Sequence, residues 1–351
     1  MEATAGEKMR FGGVGSKLES DFKDIEDKKH RAVYETLADS DQKLQYFSAR
    51  QIACRLLGSR GYLCQKCWLP LEDCMCSKIH PCNLWNGIKF WLYMHPKDFL
   101  RQNNTGKLLL QVFGIQAAQL CLFGIQEHED IMWDAFQRSA SPARHGQLSF
   151  VELEAGEFSL SKGKISFLYP NKTTIPKSVK DLKFDGLTLT TDLHEVGSTD
   201  EPLNFVLLDG TWSNSAALYR RLKVGTFGAE VVGIMAAVVG TGAGWRAVMV
   251  ERLTALWGEE DIPCISLSML SASVMHKLRP QPAWDHTCTA AAAAAAAGLL
   301  CELRMRPDLS AFKLEEQAEA MECSLDILLD ALTARRIRLG RSITRKKRAN
   351  P

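Results

Sequence analysis

Apolar residues along this chain gather into short unbroken runs. "GIKFWLYMHP" (87–96), "KISFLYP" (164–170), "NFVLLDG" (204–210) and "IPCISLSML" (262–270) each break off at a proline, a glycine or a polar cluster. Runs of that length, apolar on both faces, predict strands at the centre of a parallel sheet. Between them the period changes. "SDQKLQYFSARQIACRLLGS" (40–59) places Leu44, Phe47, Ile52 and Leu56 at helical spacing, and Gly58 to Gly61 ends it. "NNTGKLLLQVFGIQAAQLCLFGIQ" (103–126) predicts a turn and then mostly helix, a helix should follow "NFVLLDG", and the alanine tract Ala290–Ala297 is a strong helix former. Residues 179–202 are turn-rich and predict a surface excursion, and residues 1–38 are polar, expected to be flexible until a helix near His30. Strands alternating with helices give an α/β fold with a largely parallel sheet flanked by helices. The expected divisions are a flexible segment 1–38, a helical lead-in 39–60, a cysteine module 61–82, a main domain 83–330 and a basic tail 335–351.

Charge refines this picture. The 351 residues carry a net charge of only +2, but Arg335 to Pro351 holds eight bases and no acid. The remainder has 35 bases against 41 acids, so an acidic body bears a basic end of the kind that binds nucleic acid or directs nuclear entry. No apolar run reaches the roughly 18 residues needed to cross a bilayer, and no membrane partner is expected. The first 31 residues mix acids and bases, unlike a signal or transit peptide. A cytoplasmic or nuclear location follows, where the eleven cysteines serve as thiols or metal ligands rather than disulfides.

Four of those cysteines are concentrated in "CQKCWLPLEDCMC". Cys64, Cys67, Cys74 and Cys76 have CxxC…CxC spacing, which lets four thiolates converge on one tetrahedral ion. Zinc suits a sulfur-rich site, and four protein ligands leave no open position, so the ion would be structural. His80 and Cys82 lie close enough in sequence to replace one ligand, while Cys54, Cys121, Cys264, Cys288 and Cys301 are scattered on apolar segments as expected of core residues.

A second constellation is "NFVLLDGTWSNSAALYRRLK". Asp209 ends an apolar strand at the carboxyl edge, where open α/β sheets bind ligands. Gly210 permits a tight turn, Thr211 or Ser213 can cap a helix, and Trp212, Ala216 and Tyr219 share one face of it. Arg220, Arg221 and Lys223 in the last turn suit the helix dipole and would suit phosphate.

In this order, the cysteine cluster, "YMHPKD" (93–98), "NNTGKLL" (103–109), "DGTW" (209–212), "LRPQPAW" (278–284) and "CTAAA" (288–292) resemble the DTW-domain family. Its characterised members are tRNA-uridine aminocarboxypropyltransferases, distant relatives of the SPOUT methyltransferases. The resemblance implies a SPOUT-like, knotted sheet with tRNA as partner and S-adenosylmethionine as donor. It implies transfer of the 3-amino-3-carboxypropyl group to uridine N3, leaving methylthioadenosine. It places Asp209 and Trp212 at the reaction, and His95, Asn104, Thr105, Thr211 and Arg279 at the donor. Two positions depart from the family pattern: His276 replaces a tyrosine, and Ala291 replaces a glutamate. Rival readings are an RNA methyltransferase, an aminocarboxypropyltransferase acting on another RNA, and a non-catalytic zinc-containing RNA-binding protein.

Overall fold

The computed structural model describes residues 15–140, 165–168, 177–182, 202–224, 263–267 and 292–341. Among the described residues six strands form one sheet: β1 (Ile88–Met94), β2 (Ala118–Leu122), β3 (Ile165–Leu168), β4 (Lys177–Ser178), β5 (Leu203–Asp209) and β6 (Cys264–Ser266). Their order is β2-β1-β5-β3-β6-β4, and every pairing is parallel. The helices are α1 (Gly15–Thr36), α2 (Ser40–Ser59), α3 (Lys107–Val112), the single turn α4 (Gly114–Ala117), α5 (Gln126–Ala140), α6 (Trp212–Val224), α7 (Ala292–Leu303) and α8 (Leu314–Arg338).

The unbroken apolar runs are explained by two cores, one on each face of the sheet. Phe90, Leu92, Met94, Phe205 and Leu207 point into a core shared with α3, α7 and α8. Trp91, Tyr93, Val206 and Leu208 point the other way, into a core with α5 and α6. A strand side chain alternates between faces, so a residue buried on either side must be apolar. A buried polar residue is tolerated within this scheme where its hydrogen bonds are met. Asn204 accepts from the Trp91 indole at 2.8 Å and donates to Ser139 Oγ at 2.9 Å, so its burial leaves neither end of the amide unmet.

Two expectations need correction. The helix expected to begin near His30 begins earlier, as α1 at Gly15. It packs antiparallel on α2 through His30 Nδ1 with Tyr46 Oη at 2.6 Å, Asp27 with Arg50, and Lys43 above the Tyr34 ring. Asp39 caps α2 by accepting from the Gln42 amide at 3.1 Å. The run 103–126 is also not mostly helical. Gly114 adopts φ +76°, a left-handed conformation that suits glycine, and after α4 the chain turns into β2. Ala118 to Leu122 then pair residue for residue with Phe90 to Met94. Among the described residues, no helix is long and apolar enough to cross a membrane.

The start of the basic tail is likewise not free. Arg335 and Arg338 belong to α8 and close onto the cysteine loop. Arg335 Nε lies 3.1 Å from Asp73, and Arg338 reaches Asp73 at 2.6 Å and Glu72 at 2.8 Å. Residues 342–351 lie outside the described residues.

Candidate functional site

The carboxyl ends of β1 and β5 meet at a switch point in the sheet. From β1 the chain moves outward to β2, whereas from β5 it moves the other way to β6. Met94 is paired with Asp209, and the His95 amide donates to the Asp209 carbonyl at 3.0 Å. Diverging connections of this kind open a crevice beyond the strand ends.

Asp209 has no exposed surface. Its Oδ2 accepts from Asn104 Nδ2 at 2.8 Å, and its Oδ1 has no hydrogen-bond partner among the described residues. Burial pushes the carboxyl up to about 7; the Asn104 bond opposes that rise, and the nearby Asp98 charge adds to it. Gly106 explains why this geometry needs a glycine. A Cβ there would stand 2.4 Å from Asp209 Oδ2 and 2.7 Å from Leu92, so the backbone can approach the carboxylate only without a side chain.

Asp98 joins the loop after β1 to the start of α6. It follows Pro96 in a short 3-10 turn after β1, accepts from Arg101 at 2.6 Å, and receives the Thr211 amide at 3.3 Å and Asn214 Nδ2 at 2.7 Å. A buried carboxylate is thereby set at the N-terminus of α6, where the helix dipole favours negative charge. His95 precedes it, stacked on Phe123 with ring centroids 5.6 Å apart. Burial lowers its imidazole to about 4, so it is neutral near pH 7, and its Nδ1 accepts from the Lys97 amide at 3.2 Å.

The expected donor-site residues are distributed unevenly. His95 and Asn104 both reach the strand ends beside Asp209. Thr105 is fully buried, and its Oγ1 accepts from the Ala293 amide at 3.5 Å, at the start of α7. Thr211 holds the turn before α6, and Trp212 is the first residue of that helix. Arg279, like the variant positions His276 and Ala291, lies outside the described residues.

The arginines expected to face phosphate divide. Arg220 is exposed. Arg221 turns inward, where it meets Asp41 at 3.1 Å and Glu129 at 3.6 Å. Glu129 is itself buried, accepting from Tyr93 at 2.5 Å and from the Gly124 amide at 3.0 Å. A buried carboxylate recruits the nearest guanidinium, so helical position alone misplaced this residue. Asp98, Gly106 and Glu129 had no assigned role from sequence. The acid in "MHPKD" and the glycine in "NNTG" were the available signals for the first two.

The four cysteines converge as their spacing implied. Their sulfur atoms all lie within 4.8 Å of one another, with Cys64–Cys76 at 3.6 Å and Cys67–Cys74 at 3.8 Å. Tetrahedral zinc with bonds of about 2.3 Å sets neighbouring sulfurs about 3.8 Å apart, so the donor set fits that ion. The loop is shaped for it. Trp68 takes a left-handed φ of 55°, its amide donates to the Cys64 carbonyl, and the Cys64 amide donates to Leu69. Burial works to raise the Cys64 thiol, but the amides of Cys67 and Lys66 together with hydrogen bonds from Cys74 and Cys76 bring it down to about 7. His80 and Cys82 are not in the cluster. Of the cysteines expected in the core, Cys121 and Cys264 are buried and Cys54 is exposed; Cys288 lies outside the described residues.

The sequence profile described as "DTW domain" matches residues 61–334. No curated protein and no solved structure matches the chain.

Proposed function

The chain belongs to the DTW-domain family, the family of tRNA aminocarboxypropyltransferases, and from that membership we propose that it transfers the 3-amino-3-carboxypropyl group of S-adenosylmethionine to N3 of a uridine in tRNA. In that reaction the bond from sulfur to the carboxypropyl carbon breaks, and its electron pair neutralises the sulfonium to give methylthioadenosine. A bond from N3 to the same carbon forms, and the N3 proton is lost to a base.

Asp209 is the base in this reading. The observation that carries it is a fully buried carboxylate at the sheet's switch point, with one oxygen held by Asn104, the other without a partner, and a proton affinity raised to about 7. A base poised near the working pH gives the best compromise between being unprotonated and being able to take a proton. Asn104 and Gly106 hold it in place. Neutral His95 and the turn at Thr211 border the donor, Arg279 holds its carboxylate, and Trp212 bounds the uracil. The group transferred is set by which carbon lies in line with N3, so positioning decides the outcome. Thr105, serving the start of α7, supports the same turn as Asn104.

The four cysteines hold structural zinc, and the SPOUT-like, knotted sheet is the fold in this reading. The divisions are those read from sequence, with the lead-in helix α2 preceded by α1 and the basic tail shortened to residues beyond α8. Cytoplasm or nucleus is the compartment in which tRNA would be met.

The test uses bulk tRNA and donor labelled separately on the methyl and the carboxyl carbon. Carboxyl label in tRNA with release of methylthioadenosine is expected. Methyl label, or tRNA binding with no label, sinks the proposal.

A further inference from the structure

Lys107 has no exposed surface, and among the described residues no other lysine or arginine is so deeply buried. An ammonium in a low-dielectric interior is costly unless a negative partner is near. Among the described residues, its neutral compensation is the Gln102 carbonyl, which accepts from Nζ at 2.6 Å. The aromatic face of Trp68, in the cysteine loop itself, lies 5.9 Å from Nζ. One helical turn on, Gln111 donates to the Lys107 carbonyl at 3.5 Å, and Cys76 Sγ lies 3.6 Å from Gln111 Oε1.

Four thiolates around a divalent zinc carry a net charge of −2. We propose that Lys107 is the fixed counter-charge of that centre, a positioning residue that raises metal affinity from outside the ligand set. The inference rests on the reading that Cys64, Cys67, Cys74 and Cys76 hold zinc. The same segment reaches the other site, because the Lys107 amide donates to Asn104 Oδ1 at 3.4 Å while Asn104 holds Asp209. A lysine anchored on the metal module thus fixes the end of the turn that presents the base.

The experiment measures zinc content and zinc affinity by competition with a chromophoric chelator, for wild type, K107M, C74H and C74H/K107M. Cys74 is exposed, so an imidazole has room, and a Cys3His set carries one negative charge fewer. K107M is expected to bind zinc roughly 10–100-fold more weakly, as changes behind a ligand set commonly do. In the C74H background the loss should shrink, whereas a lysine that merely packs would give the same loss in both. If K107M alone does not fold, C74H/K107M must still yield soluble zinc-loaded protein, and its failure to do so overturns the counter-charge role. Zinc in wild type with equal affinity in K107M overturns this inference alone. A metal-free, folded wild type overturns the zinc reading and this inference together.

Discussion

Asp209 costs the folded protein something that its neighbours only partly offset. The folded carboxyl keeps its proton up to about pH 7, while the unfolded chain releases it near 3.8, so folding takes up a proton between those values. Stability from this group therefore falls as pH rises from about 4 to about 7, and is level above that. Asp209→Asn removes the buried charge while keeping the shape. It is expected to be more stable than wild type at pH 8, by on the order of 2–4 kcal/mol, with a smaller difference at pH 5; equal thermal melts of the two proteins at both pH values would contradict this. The same substitution should lower turnover by roughly 10²–10⁴-fold, and wild-type kcat/KM should rise with pH through about 7 and then flatten. A profile with no inflection there moves the base elsewhere. Gly106→Ala should also impair transfer, because its methyl would collide with the Asp209 carboxylate, and should cost about 1–3 kcal/mol in a urea titration.

At the scale of elements, strands were easier to read than what holds them together. β1, β3, β5 and β6 stood out because burial on two faces writes itself as an unbroken apolar run. β2 did not. Ala118, Leu120 and Leu122 are good helix formers, and only pairing with β1 across the sheet makes that segment extended. Asp209 was legible as the residue ending a strand, and the cysteines by spacing. Arg221 was not, because its partners are remote in sequence: it bonds Asp41 across 180 positions. That network ties α2, α5, α6 and β1 behind the turn that begins α6. Arg221→Met leaves Glu129 and Asp41 without their cation and should cost about 3–5 kcal/mol, against less than about 0.5 for Arg220→Ala at the exposed neighbouring position. Chemical denaturation of the two variants separates them.

Across the whole molecule, the proposed function gives the basic end two jobs that a charge count merges. Arg335 and Arg338 close α8 on the cysteine loop, whereas Arg345 to Arg348 lie beyond the described residues. Removing residues 342–351 should weaken tRNA binding and reduce its salt slope by roughly three to four, since four of its charges form one cluster. Arg335→Ala with Arg338→Ala should leave that slope nearly unchanged and instead make the protein easier to strip with a chelator. A filter-binding salt titration beside a zinc-release assay distinguishes the two, and identical salt slopes for both variants would refute the division.

The bond from Arg338 to Asp73 spans 265 residues. During synthesis the cysteine loop leaves the ribosome early and must wait for nearly the whole remaining chain before its arginine partners exist. In that interval its thiols depend on the reducing power of the cell and on whatever ion reaches them first. A transcript that stops before α8 would release a product whose sheet strands are complete and whose cysteine loop has no clasp.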